Sequence, residues 1–346
     1  MHHISGGNKA SQAVSWLGDA DNEYIFGTSW SDMLEGSGGN DILYGFEGDD
    51  TIIGGDGQDR IFGDAGDDII HLQNVNNTGD VIDGDFASGG SGNDTIYGDN
   101  VNPNVEYIFG GPGHDTIYSY GGNDEIHGEE GDDFIRALDG DNEIFGGPGN
   151  DDISVYISAS SQGIGNNDLD GGAGDDTIVG GSGDDHIIGG LGNDMLDGKD
   201  GDDELDGGDG HDVIKGGDTG VASSIYQEVL RGGSGNDLMY GGSSSTDLGG
   251  IPTTVDRTAS NFSGRLYIYG DSGDDEIWGK HQMAAEYLWG GEDDDVIHPG
   301  HSADTIIANG NDGDDTIYGS IGTIVEETLK GGKGHDKINP IEYIYN

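Results

Sequence analysis

Aliphatic residues recur every nine positions along most of this chain, each flanked by residues that are mainly polar or aromatic. Residues 171–215 contain five such units without a spacer, and the aliphatic residue stands at the eighth position of each unit: Ile178, Ile187, Leu196, Leu205 and Ile214. Two glycines also recur in each nine-residue unit, which is not a helical pattern. An x-aliphatic-x triplet fits a short strand whose middle side chain points inward. The pattern therefore predicts a six-residue turn followed by a three-residue strand.

The polar positions repeat with the same period. Within residues 171–215, glycine holds the first and fourth positions of each unit and Asp holds the sixth: Asp176, Asp185, Asp194, Asp203 and Asp212. Thirty frames of this kind can be placed along the whole chain, and their eighth position is Ile or Leu in all but one, which has Met239. Five frames that open the chain or follow an inserted segment carry Glu at position six instead. The position-eight column is the predicted core.

The frame resumes after every interruption, which favours one solenoid over several domains. We expect a lead or cap over residues 1–17, the solenoid over residues 18–339 and a tail over residues 340–346. The inserted segment 241–260 is the longest, and a hinge there is the alternative. Frames placed at 75–83 and 299–307 leave the short segments 84–88 and 308–309 as insertions.

Composition restricts the possible partners. The chain has 346 residues and a formal net charge of -57, with 69 acidic residues against 12 Lys and Arg. Such a charge disfavours nucleic acids and anionic membranes as partners. No apolar run approaches the roughly 20 residues of a membrane span. The chain contains no cysteine, so it has neither disulfides nor thiolate metal sites. A folded state with this charge needs either bound cations or a geometry that keeps the carboxylates apart, and the thin core favours bound metal as the additional stabilising contribution.

The repeat resembles the repeats-in-toxin (RTX) nonapeptide GGxGxDxUx, a calcium-binding repeat. The resemblance implies an all-β, right-handed parallel β-roll or β-helix solenoid. Two nonapeptides would form each coil, giving about fifteen coils with surface loop insertions. The resemblance also implies Ca²⁺ as the cofactor, with ions held between adjacent turns by turn carbonyls and by position-six Asp side chains of successive coils.

The residue types agree with a hard divalent cation. Asp carboxylates and backbone carbonyls are oxygen ligands, and six or more oxygens at about 2.3–2.6 Å are typical of calcium. Glycines at positions one and four allow backbone conformations that turn carbonyls toward a common point. Without Cys, and with only scattered His, zinc and copper are disfavoured.

Carried onto this chain, the family pattern predicts metal ligands at twenty position-six residues and roughly 15–20 bound ions. These residues are Asp41, Asp50, Asp59, Asp68, Asp94, Asp115, Asp124, Asp133, Asp151, Asp176, Asp185, Asp194, Asp203, Asp212, Asp237, Asp275, Asp295, Asp304, Asp315 and Asp336.

The function predicted from the sequence is an extracellular or cell-surface calcium-binding repeat protein that folds with calcium and has a structural, adhesive or surface-binding role. Position-nine aromatics such as Tyr269, Trp278 and Trp289 form either a structural ladder or a surface for a glycan or protein. The alternatives are an enzyme or accessory module for acidic polysaccharide, as in alginate epimerases, and a fragment of a secreted RTX toxin or hydrolase. We find no catalytic motif, and ice binding is disfavoured because Thr does not recur in the turns.

Overall fold

Every helix or strand in the described part of the chain is a β-strand. The computed structural model describes residues 2–5, 12–72, 84–98, 105–155, 165–217, 227–242, 264–280, 285–300, 305–320 and 326–339. The chain divides into two units, Met1–Ala173 and Gly174–Asn346. In these ranges no helix is long and apolar enough to cross a membrane. The predicted hinge falls mostly outside the described residues and stays a prediction.

The first unit contains seventeen of the thirty-two strands. They are β1 (His2–Ser5), β2 (Ser15–Leu17), β3 (Glu23–Phe26), β4 (Met33–Gly38), β5 (Ile42–Glu47), β6 (Thr51–Asp56), β7 (Arg60–Ala65), β8 (Ile69–His71), β9 (Phe86–Ser91), β10 (Thr95–Tyr97), β11 (Tyr107–Phe109), β12 (Thr116–Gly121), β13 (Glu125–His127), β14 (Phe134–Asp139), β15 (Glu143–Pro148), β16 (Asp152–Ser154) and β17 (Asp168–Ala173).

The second unit contains the other fifteen. They are β18 (Thr177–Ser182), β19 (His186–Leu191), β20 (Met195–Asp200), β21 (Glu204–Asp209), β22 (Val213–Lys215), β23 (Gln227–Ser234), β24 (Leu238–Tyr240), β25 (Arg265–Ser272), β26 (Glu276–Trp278), β27 (Ala285–Glu292), β28 (Val296–His298), β29 (Thr305–Asp312), β30 (Thr316–Tyr318), β31 (Glu326–Lys333) and β32 (Lys337–Asn339).

In each unit the odd-numbered strands form one sheet and the even-numbered strands form another. Each strand pairs in parallel with the strand two places along the chain, as β5 does with β7 and β21 with β23. Equivalent positions of successive coils are in register. The predicted parallel β-solenoid is confirmed. All of the strands from β3 to β32 except β9 contain the last three positions of a predicted frame, and β1 and β2 lie ahead of the first frame, so the coil count differs slightly from the fifteen expected.

The position-eight column is the core, as predicted. Ile25, Ile52 and Ile117 of the first unit and Ile178 and Leu230 of the second are fully buried. Along the strands from β3 to β30, buried positions generally alternate with more exposed ones, so position six, position eight and the following position one face inward. Ile338 in β32 is 42% exposed.

Two predicted frames are wrong, because strand pairing sets the register of a coil. Ala87 pairs with Ile61 of the core column, so β9 begins inside the predicted insertion 84–88 and continues into the next predicted frame. Residues 75–83 lie outside the described ranges. Likewise Ala308 pairs with Leu288, which places Ile306 at position six rather than position eight. Both alanines are fully buried.

The two edges of the solenoid differ in how the strands are connected. We call the turns from odd- to even-numbered strands the regular edge and those from even- to odd-numbered strands the looped edge. From β3 onward, position-six residues across the regular edge are always nine residues apart, as from Asp41 to Asp50. All inserted segments fall on the looped edge, at β8–β9, β10–β11 and β16–β17 of the first unit and at β22–β23, β24–β25, β26–β27, β28–β29 and β30–β31 of the second.

Candidate metal sites

Position-six carboxylates form ladders along the turns inside each unit. Eighteen of the twenty predicted ligands are at most 2% exposed; Asp336 is partly exposed and Asp304 lies outside the described residues. One oxygen, Oδ1, accepts the backbone N–H of the position-six residue one coil earlier. The N···Oδ1 distance is 2.7 Å from Asp32 to Asp50 and 2.8 Å from Asp194 to Asp212. Each carboxylate therefore spans two successive coils.

The other carboxylate oxygen, Oδ2, is buried and accepts no hydrogen bond from any residue that the structure describes in many of these turns. This holds for Asp41, Asp50, Asp68, Asp94, Asp115 and Asp133 in the first unit and for Asp194, Asp203, Asp212, Asp237, Asp275, Asp295 and Asp315 in the second. A buried anionic oxygen without a donor is strongly unfavourable. A bound cation would remove this penalty.

The position-one glycine brings a carbonyl oxygen to the same place. A Cβ added to Gly36 would lie 2.3 Å from Asp41 Oδ2 and 2.5 Å from the carbonyl oxygen of Gly54 in the next coil. The same pair of oxygens faces Gly110, at 2.3 Å from Asp115 Oδ2 and 2.8 Å from the Gly128 oxygen. Oxygen atoms of a carboxylate and of a carbonyl one coil on thus lie beside the same point, which suits a shared hard cation.

Two turns of the first unit show what a neutral side chain does at position six. Asn142 and Asn167 lie on the looped edge, and their Nδ2 atoms donate to the carbonyl oxygens of Gly140 at 3.2 Å and Gly165 at 3.1 Å. The position-six side chain therefore reaches the position-four carbonyl of its own turn. In the Asp turns the side chain carries Oδ2 in place of the Nδ2 amide and can only accept. A cation between Oδ2 and the carbonyl oxygen would then replace the amide hydrogen that links the two groups in the Asn turns.

Burial raises the pKa of many position-six carboxyls, and neighbouring carboxylates in the ladder raise it further in most of them. The pKa is raised to about 7 for Asp50 and Asp68 and to about 8 for Asp115. In the second unit it is raised to about 9 for Asp203 and to about 8 for Asp295. Backbone N–H donors to the carboxylates oppose these shifts. Without a cation the ladder therefore favours bound protons at neutral pH.

The left-handed backbone conformation occurs at positions two and four, not at positions one and four as predicted. Position two has φ of 82° at Phe46 and 110° at Gly55, and position four has φ of 113° at Gly48. Position one is glycine for another reason, because Asp Oδ2 and a carbonyl oxygen of the next coil occupy the space of its Cβ.

The two edges carry different position-six residues. On the regular edge, from β4 onward, it is Asp in every coil: Asp32, Asp50, Asp68, Asp94, Asp115, Asp133 and Asp151 in the first unit, and Asp176, Asp194, Asp212, Asp237, Asp275, Asp295, Asp315 and Asp336 in the second. Ahead of β2 the residue in register with Asp32 is Val14. From β3 onward, all Glu, Asn and apolar substitutions fall on the looped edge. The sequence pattern did not separate these edges, because insertions obscure which frames stack.

Two ladder residues are absent from the predicted ligands. Asp32 is 5% exposed and its Oδ1 accepts Val14 N–H at 2.6 Å, although its frame had already placed it at position six. Asp85 accepts Asp59 N–H at 2.8 Å. Ala87 in place of an aliphatic residue concealed the frame of Asp85. At the coil where Asp304 was predicted, Ile306 pairs with Glu286 at position six.

Side chains at position five form a second, exposed ladder. Asp49 Oδ1 accepts Asp67 N–H at 3.1 Å, and Asp67 Oδ1 accepts Asn93 N–H at 2.8 Å. His114 Nδ1 accepts Asp132 N–H at 2.8 Å and His211 Nδ1 accepts Asn236 N–H at 2.7 Å. These imidazoles serve as backbone acceptors. Within the described ranges, no three His, Cys, Asp or Glu side chains form a metal-binding group, so further ligands would come from the backbone.

Position-nine aromatics stack on one another between coils. The Tyr269 and Trp289 rings are 4.6 Å apart at 4°, and the Trp278 and His298 rings are 3.8 Å apart at 9°. His298 also stacks on Tyr318 at 4.5 Å. Neighbouring rings thus cover faces that a sugar would use, which favours a structural ladder over sugar stacking.

Comparisons with known proteins bear on these turns. The model of a family described as RTX calcium-binding nonapeptide repeat (4 copies) matches residues 17–45, 44–78, 81–100, 101–135, 127–155, 161–196, 188–218, 226–245, 267–280, 284–310 and 307–323. A comparison with curated proteins finds no match. Among solved structures, a likeness is found to the X-ray crystal structure of a hyperactive, Ca²⁺-dependent, beta-helical antifreeze protein from an Antarctic bacterium. The identity is 20% over 89% of this chain and 84% of that chain, with a TM-score of 0.33.

Proposed function

Because the chain belongs to the RTX calcium-binding nonapeptide repeat family, we propose that it is an extracellular module whose folding depends on calcium. The observation that supports this proposal is the ladder of buried position-six carboxylates, whose Oδ2 atoms face carbonyl oxygens of the neighbouring coil. The chain consists of calcium-binding repeats that form a parallel β-solenoid. The proposal adds that folding requires calcium and that the protein acts outside the cell.

In this proposal the ions lie between successive coils, and Asp side chains of both coils contribute ligands. On the regular edge the ligands are the position-six Asp residues of every coil from β4 onward, with Asp32 added to the predicted set. On the looped edge they are Asp41, Asp59, Asp85, Asp124, Asp185 and Asp203. Bound calcium supplies positive charge that offsets the ladder carboxylates. Roughly 15–20 ions are proposed for the whole chain, a number that equilibrium dialysis measures.

Coupled folding follows from the charge of the metal-free ladder. Binding free energy becomes folding free energy when the site does not exist in the unfolded chain. Extracellular sites typically bind calcium with dissociation constants of about 0.1–1 mM, far above cytosolic calcium levels. The proposed module therefore stays unfolded in submicromolar calcium and folds where calcium is millimolar.

Circular dichroism tests the proposal directly. The protein is treated with chelator and then titrated with calcium, with magnesium as the matched control, because magnesium demands a more rigid octahedral geometry. We expect the β-sheet signal to be lost in chelator and restored by calcium but not by equal magnesium. A β-sheet signal that persists unchanged in chelator contradicts coupled folding.

We propose a structural or surface-binding role rather than catalysis. Among the residues that the structure describes, the position-five and position-six carboxylates belong to two repeating ladders, so their adjacent pairs are explained by the repeat and not by an acid and a base. Incubation with alginate-like polyuronates should give no product, and product formation would favour the enzyme alternative. A glycan or protein partner at Tyr269, Trp278 and Trp289 stays a prediction, tested by binding to the three single alanine variants.

A further inference from the structure

The Asp ladder of the second unit ends partway along the looped edge. Asp203 is the last Asp at position six there, and the residues in register above it are Glu228, Leu266, Glu286 and Ile306. Glu228 is fully buried, and its carboxylate lies against Gly216 as the Asp203 carboxylate lies against Gly198. A buried carboxylate therefore persists one coil beyond the Asp ladder.

Lys280 supplies a positive charge at this carboxylate. Its Nζ donates a hydrogen bond to the carbonyl oxygen of Gly217 and lies 3.6 Å from Glu228 Oε2. Lys280 is 8% exposed, which is rare for lysine unless it is paired. Gly217 holds position two of its turn, with φ of 121°. The ammonium thus donates to one turn carbonyl and forms an ion pair with one carboxylate, and both of these groups are oxygen acceptors.

The lysine reaches this place from a turn two coils away. It follows β26, whereas Gly217 follows β22 and Gly241 follows the intervening β24. Lys280 Cβ lies 3.3 Å from the point where a Cβ on Gly241 would sit, and Leu266 Cδ2 lies 2.5 Å from the same point. The apolar stem of the lysine therefore passes an apolar rung of the column, and its charged end reaches the carboxylate beyond it.

Glu286, the next carboxylate in the column, is satisfied differently. Its Oε2 accepts the backbone N–H of Gly300 at 2.8 Å, and the backbone N–H of Lys280 is a second donor to this carboxylate. Glu286 therefore anchors the backbone of the turn that carries Lys280, while the ammonium is directed at Glu228.

We propose that the Lys280 ammonium takes the place of a bound calcium ion at Glu228, as a cation built into the chain. This inference rests on the proposed calcium sites of the ladder, because a cation is replaced only where the repeat would hold one. The coils of β23 and β25 therefore need less calcium to fold, because the negative charge of Glu228 is compensated by the Lys280 ammonium.

Hydrogen exchange along a calcium titration tests the inference on the full-length chain. The readout is the calcium midpoint at which amides of β23 and β25 become protected. K280M should raise this midpoint about tenfold, because the buried Glu228 carboxylate loses the positive charge of the Lys280 ammonium. K333M is the matched control, since Lys333 pairs with Asp312 at 2.7 Å on the surface and its side chain is 82% exposed. An unchanged midpoint in K280M overturns the inference.

Two further variants separate charge from packing. K280R keeps the charge and should retain the wild-type midpoint. The double variant E228Q/K280M removes both charges and should return the midpoint to within about threefold of wild type. A double variant that remains as calcium-dependent as K280M overturns the inference, because lost packing would then explain the effect. The calcium concentration at which the amides of β4 and β6 become protected tests the proposed function independently of Lys280.

Discussion

Glycine is required at two positions of the turn for two different physical reasons. At position four the backbone is left-handed and lies against a carbonyl oxygen of the preceding coil. Gly131 has φ of 134°, and a Cβ there would lie 1.4 Å from the Gly113 oxygen. At position one the conformation is ordinary, and the space of the Cβ is taken by carboxylate and carbonyl oxygens. A methyl group at position four would therefore strain the backbone, whereas a methyl group at position one would displace the oxygens that are the candidate ligands.

We predict that G131A destabilises the calcium-bound protein by about 3 kcal/mol, since it combines backbone strain with a steric clash. G121A is the control, because a Cβ on Gly121 meets nothing within 4 Å. It should change stability by less than about 0.5 kcal/mol. Urea unfolding in millimolar calcium measures both variants, and equal midpoints would contradict the role of the close approach.

D50N should have opposite effects with and without calcium. Asn keeps the Oδ1 acceptor for Asp32 N–H, removes the buried charge and provides amide hydrogens of the kind that Asn142 donates to Gly140. We expect about tenfold weaker calcium binding at that coil by isothermal titration calorimetry. The free energy of unfolding of the metal-free protein should increase by about 1 kcal/mol.

D49N is the control for D50N. Asp49 is exposed at position five and uses Oδ1 as a ladder acceptor, which the amide oxygen of Asn can replace. D49N should therefore leave calcium affinity within about twofold of wild type. If both variants lose affinity equally, net charge rather than the ladder position determines binding.

At the scale of elements, parallel pairing turns single side chains into ladders. The strands themselves are short, and stacked rings extend the contact between them beyond the single core column. In the first unit Tyr44 stacks between Phe26 at 5.6 Å and Phe62 at 4.8 Å, and His127 stacks between Phe109 at 4.7 Å and Phe145 at 4.8 Å. Each ring buries its faces against the adjacent strands.

W278A should cost roughly 2 kcal/mol of stability, because Trp278 stacks on His298 and its Nε1 donates to Glu276 Oε1 at 3.0 Å. Trp30, which is 52% exposed, provides the control. W30A should change stability by less than about 0.5 kcal/mol. Urea unfolding followed by circular dichroism measures both, and a neutral W278A would mean that the ladder is not structural.

The elements were predictable wherever the repeat runs without interruption. Between residues 171 and 215, the aliphatic column, the position-six Asp and the first residue of each strand lie where the period places them, because each coil there is eighteen residues long. The strands β18 to β21 are six residues long, however, and continue three residues into the predicted turn. The register failed at β9 and β29, since an inserted segment hides which residues pair and both coils have alanine in the core. Lys280 was unpredictable for the same reason, because its partner Glu228 is 52 residues away along the chain and in another coil.

At the scale of the whole chain, a formal charge of -57 must be compensated, and protons compete with cations for the same carboxylates. Burial raises the pKa of Asp41 and Asp133 to about 6, of Asp212 and Asp275 to about 7 and of Asp203 to about 9. A folded pKa above the ordinary value means that the metal-free fold holds more protons than the unfolded chain. Its stability is therefore fully present below about pH 4 and declines as the pH rises through about 6 to 9.

We predict that acid partly replaces calcium. In chelator, the β-sheet signal should be stronger at about pH 5 than at about pH 8. In a calcium titration, the calcium concentration at the midpoint of folding should rise as the pH falls, because protonated carboxyls bind no cation. Circular dichroism with a chelator effective at both pH values checks the two trends, and a metal-free spectrum independent of pH would contradict them.

The division between a regular and a looped edge has a consequence for protein engineering. Sequences of very different length already stand between β22 and β23 and between β24 and β25, and the strands on both sides keep their register. Foreign peptides grafted at these junctions would be displayed in a row from one edge only. One extra residue on the opposite edge would turn an aliphatic side chain outward and bring its polar neighbour into the core. The solenoid thus tolerates inserted peptides on the looped edge and not on the regular edge.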